Sequence, residues 1–77
     1  MNKARRKMLQ GIIDNLDAQC ENIVAVQTEE QEAFDNIPEN LQYSERGETM
    51  NENANGLEQA ASDLEDIIST LQEIMER

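Results

Sequence analysis

Histidine and tryptophan are absent from the 77 residues, and cysteine, proline, phenylalanine and tyrosine occur once each. Without histidine there is no imidazole base for a nucleophile triad, and with one thiol there is no Cys/His zinc site within the chain. A single cysteine also rules out an intrachain disulfide framework. Cys20 could still pair between chains, but its place in an apolar stripe favours a reduced, buried thiol in a cytoplasmic protein. No apolar run approaches the ~20 residues of a membrane span. The basic opening Lys3-Ala4-Arg5-Arg6-Lys7 does not lead into a continuous apolar signal region. Basic residues number six against 17 acidic ones, a net charge of -11. Repulsion from phosphates opposes direct nucleic-acid binding, so a basic protein is the expected partner.

What remains is almost entirely helical pattern, broken once. Pro38 has no amide hydrogen and biases Ile37 away from helical dihedrals, so a first helix over about 3–36 should stop before it. Ser44 is a good N-cap, and Glu45 and Glu48 sit favourably in the first turn of a second helix over about 45–76. The connection, residues 37–43, is short enough for antiparallel neighbours.

In the first helix Leu9, Ile13, Leu16, Cys20 and Ile23 alternate steps of four and three, and the register returns at Phe34 and Ile37. The second repeats the pattern with Met50, Ala54, Leu57, Ala61, Leu64, Ile68, Leu71 and Met75. These are heptad seams, and they predict an all-α fold, an antiparallel two-helix coiled-coil hairpin forming one domain. Folding the seams about Gln42 sets Cys20 opposite Leu64, Ile23 opposite Ala61 and Glu30 opposite Ala54. Gln27 and Glu30 interrupt the first seam, as a hydrated layer near the turn or as a polar device that fixes register. Two helices leave little room for a core. Ile12, Val24, Val26, Ile67 and Ile74 widen the apolar face beyond the seam, so self-association through them into a dimeric four-helix bundle is expected. A docking face for another protein is the alternative.

Asn51-Glu52-Asn53-Ala54-Asn55-Gly56 starts like a calcium loop but has Ser62 where the twelfth-position glutamate belongs, so no metal or cofactor is expected. Its asparagines and glycine predict fraying or a bend. Tyr43, just before the N-cap, either packs under the turn or lies exposed as a contact residue, and its position slightly favours packing.

Charge is divided between the ends. Lys3, Arg5, Arg6 and Lys7 gather at the start, where the hairpin would set them beside Glu73 and Glu76. The turn carries Glu29, Glu30, Glu32, Asp35, Glu39, Glu45, Glu48 and Glu52. A solubilising surface is one reading. The other is a partner-binding tip, formed by Glu29, Glu32, Asp35, Glu39, Glu45, Glu48 and Glu52, that docks in a basic cleft.

At Asn2-Lys3-Ala4-Arg5-Arg6-Lys7, at 35–42 (Asp35-Asn36-Ile37-Pro38-Glu39-Asn40-Leu41-Gln42) and at 44–48 (Ser44-Glu45-Arg46-Gly47-Glu48), the chain resembles small acidic helical-hairpin proteins of Gram-positive bacteria, their phages and mobile elements. The resemblance spans nearly the whole chain and is most specific at the turn. It implies a helical hairpin from a bacterial or phage setting, and supplies no catalytic residues. Together with the acidic turn it suggests a non-enzymatic modulator or inhibitor of a host nucleic-acid-processing or defence protein. A purely structural, self-assembling bundle is the alternative. Enzymatic acid–base chemistry would need a carboxylate pair in a closed pocket, which two helices do not provide.

Overall fold

A computed structural model describes residues 1–77. The chain is two long helices joined by a tight connection, with no strand. Helix α1 spans Lys3–Asp35 and helix α2 spans Glu45–Glu76, with a single 3-10 turn at Glu39–Leu41 between them. They pack along their length as a thin rod of 58 × 15 × 13 Å.

The ends of the helices follow from local chemistry. Asn2 caps α1, its side-chain Oδ1 accepting from the Arg5 amide at 2.8 Å. At the far end the Asn36 amide donates to the Glu32 carbonyl at 3.0 Å and the Ile37 amide to Phe34 at 3.1 Å, after which Pro38 ends the ladder. Ser44 does two things at once. Its hydroxyl donates to the Leu41 carbonyl at 2.6 Å and accepts from the Gly47 amide at 3.3 Å, tying the connection to the first turn of α2. Glutamine–aspartate pairs four residues apart, Gln10–Asp14, Gln31–Asp35 and Gln59–Asp63, add hydrogen bonds of 2.8–3.0 Å along the exposed helix surfaces. Such pairs contribute roughly 0.2–0.5 kcal/mol each.

The interior is narrow. With the heptads lettered so that Ile13 is position a in α1 and Ala54 is position a in α2, the buried residues are Ile13 and Cys20 in α1 and Gly47, Ala54, Ala61 and Ile68 in α2. All six occupy a positions. Leu9, Leu16, Ile23, Leu64 and Leu71, all at d, only half-bury themselves against this row. The Cys20 thiol reaches across to the Ala61 backbone carbonyl at 3.6 Å, so these two residues share a layer. That mirror point lies between Asn40 and Leu41 rather than at Gln42, and Cys20 meets Ala61 where Leu64 was expected. Small residues at 47, 54 and 61 allow the two a rows to face each other directly, which larger side chains there would prevent.

Two expectations change with this geometry. Helix α2 runs without interruption through Asn51–Gly56. Ala54, fully buried, and half-buried Leu57 anchor that stretch to α1 and offset its weak helix propensity. Ala54 itself is closed off from solvent, while Gln27 and Glu30 on α1 are half-buried. Tyr43 is 82% exposed and stands clear of the turn, where Ser44 and Gln42 make the local hydrogen bonds.

Candidate functional site

The hairpin has two unlike long sides. In a helix with a facing its neighbour, d and then g lie to one hand and e to the other. Reversing the second helix brings both d/g sides to the same side of the hairpin. On that side are Leu9, Leu16, Ile23, Ile37, Met50, Leu57, Leu64 and Leu71 at d. Beyond them stand Ile12, Val26, Ile67 and Ile74 at g. The e side carries Gln10, Asp17, Gln31, Asn51, Glu58, Glu65 and Gln72, with Val24 its one apolar member.

Surface hollows support this division. A shallow one of about 460 Å³ on the apolar side near the turn is lined by Ala33, Ile37, Arg46 and Met50 among others. A smaller one of about 300 Å³ on the other side is lined by Val24, Glu58 and Glu65 together with Gln27 and Ala61. Four of the five residues expected to form the self-association flank thus share one side. Ile12, Val26 and Ile67 are 46%, 51% and 52% exposed there, and Ile74 is half-buried. Val24 is equally exposed but faces the acidic side, so the structure separates it from the other four.

The acidic residues of the turn end also group by geometry. Glu29, Glu32, Asp35, Glu45, Glu48 and Glu52 fall at b, c and f positions, Glu39 lies in the connection, and all seven are exposed. None lies on the apolar side. Half-buried Glu30, at d, is the one carboxylate in the apolar row. The acidic tip and the apolar flank are therefore separate surfaces, and both can be occupied at once.

No three acidic or thiol groups converge in a way that could hold a metal ion. The one shifted titratable group is Cys20, whose thiol is raised above its ordinary value of 9.0. Burial is the main cause, reinforced by the negative charge of Glu65, Asp17 and Glu21. The direction is opposite to that of an activated nucleophile. Cys20 is expected to react with a thiol reagent at pH 8 on the order of tenfold or more slowly in the folded chain than in denaturant. Equal rates in a timed absorbance assay would contradict its burial. Because the fold favours the neutral thiol, its contribution to stability is intact below the ordinary thiol value. That contribution is lost as pH rises through the raised one.

Gly47 was not legible as special from composition. A Cβ at this position would collide with the Gln42 carbonyl oxygen, lie 2.8 Å from the Gln42 carbonyl carbon and 2.9 Å from the Leu41 oxygen. Its signal was its spacing: it precedes Ala54 and Ala61 by successive sevens, so it belongs to the same row of small residues.

Fold and surfaces together define an all-helical hairpin with an apolar side, a polar side and an acidic tip, and no helix long and apolar enough to cross a membrane. Protein-family models, curated proteins and solved structures give no match to the chain.

Proposed function

We propose that this chain is a non-enzymatic protein-binding module of the cytoplasm, which pairs with a second copy through its apolar side and presents its acidic tip to a basic cleft on another protein. The observation that carries this reading is the separation of the two surfaces. Seven exposed carboxylates surround the turn and point away from the apolar row. Gathering them at one end is costly through self-repulsion, a cost that a cationic partner relieves. Carboxylates spaced along helices can stand in for phosphates, so a cleft that otherwise holds nucleic acid is the kind of partner they fit. With the resemblance to acidic hairpins of bacteria, phages and mobile elements, this favours a modulator or inhibitor of a nucleic-acid-processing or defence protein.

The test is affinity capture from a bacterial lysate with the native chain and with a variant carrying Glu29→Gln, Glu32→Gln, Glu39→Gln and Glu45→Gln, read by mass spectrometry. One basic partner retained by the native chain and lost by the variant is the expected result. Recovery of the chain alone from both would sink the acidic-tip reading. The exposed apolar side would then favour the second reading, a self-assembling bundle with no other partner.

A further inference from the structure

We infer that the second copy lies antiparallel along the d/g side, so that the basic N-terminal end of each hairpin rests on the acidic turn end of the other. This rests on the self-association half of the proposed function and specifies its geometry.

The first argument is area. A compact chain of 8.8 kDa exposes about 4,800 Å² by the scaling for folded monomers, about 1,000 Å² less than this hairpin's 5801 Å². A stable interface buries roughly 800 Å² per partner. Covering the d/g side thus accounts for the excess, and no other side offers a continuous apolar row. The d residues then complete their burial between four helices instead of two.

The second argument is charge, and it selects the orientation. A two-fold dimer stacked on this side has two options. With the axis along the rod, both turns meet at one end, and two sets of tip carboxylates, each relieved only by Arg46, crowd the same end of the dimer. With the axis across the rod at the Cys20–Ala61 layer, each copy is reversed against the other. Lys3, Arg5, Arg6 and Lys7 of one α1 then come level with residues 33–37 of the other, near Asp35 and Glu32. Arg5 is at g, on the interface side, and comes within two turns of Glu30, the lone carboxylate of the d row. Arg46, also at g, comes level with the acidic end of the other α2, where Glu73 and Glu76 lie. The basic end of each copy thereby lies level with the acidic end of the other, with Arg5, Arg46 and Glu30 the charged groups on the interface side. The apolar hollow lined by Ala33, Ile37 and Met50 falls under the first turn of the partner's α1. The carboxylates at b, c and f stay outside, available to a third protein.

The test places a nitroxide at exposed Asn40 in the connection, as Asn40→Cys in a Cys20→Ala background, and combines light-scattering mass with pulsed dipolar distance measurement. The same label with Cys20 retained serves if the replacement weakens the fold, since the buried thiol reacts slowly. Two-chain mass with an interspin distance near the 58 Å length of the rod is the expected result. Two-chain mass with a distance below about 30 Å, two to three helix diameters, would overturn the antiparallel geometry and leave self-association standing. One-chain mass at hundreds of micromolar would overturn both.

Discussion

Replacing Gly47 with alanine is expected to destabilise the hairpin by about 1–3 kcal/mol, the cost of forcing an extra methyl group into a filled site. The usual preference of a helix for alanine over glycine, up to about 1 kcal/mol, works in the opposite direction and is outweighed. Backbone atoms of Leu41 and Gln42 are what the new Cβ meets. They cannot rotate aside as a side chain could, so the connection must lift from α2 and strain the Ser44 hydrogen bonds. Gly56→Ala is the control. Nothing lies within 4 Å of a Cβ there, and this substitution should stabilise the helix. Thermal unfolding followed by circular dichroism reads both, with a fall on the order of 10 °C for Gly47→Ala in a chain of this size. An unchanged or higher midpoint for Gly47→Ala would contradict the close approach of the connection to α2.

Ile67→Glu should convert the protein to a single-chain species, with an apparent dissociation constant raised at least 100-fold. The residue is half-exposed at g, so the isolated hairpin tolerates the change within about 0.5 kcal/mol. In the dimer the new carboxylate is trapped in an apolar interface without a cationic partner, at a cost of several kcal/mol. Val24→Glu introduces the same charge at similar exposure on the e side, and should leave the mass unchanged. Light scattering of the two variants at equal concentration separates the sides of the hairpin. Equal dissociation by both, or by neither, would remove the argument that the d/g side is the interface.

The helix boundaries and the reversal of the chain were readable because few residue types carry them. Pro38 ends the first helix and Ser44 starts the second, each by a local mechanism that tertiary packing does not override. The heptad seams were equally plain. Which half of each seam would be buried was not, since a and d are both apolar and period alone does not rank them. The answer lay in side-chain size: Gly47, Ala54 and Ala61 form a row of small residues, and helices approach closest along such a row. Reading the seam as a simple alternation placed the mirror point at Gln42 and set Cys20 against Leu64. Local propensity misled at Asn51–Gly56, where buried Ala54 holds the helix together, and at Tyr43, which stands exposed.

Of the proposed surfaces, the acidic tip was legible as a run of charge. Its separation from the apolar flank was not, because it depends on which position faces the neighbouring helix. Once a is fixed there, Ile12, Val26, Ile67 and Ile74 fall together and Val24 falls away, although all five look alike in composition.

Small-angle X-ray scattering of the native chain tests most directly the claim that the apolar side is covered lengthwise by a second copy. Forward scattering should give a two-chain mass, while the maximum dimension stays close to the 58 Å length of one hairpin. A one-chain mass, or a two-chain mass with a maximum dimension approaching twice that length, would contradict it.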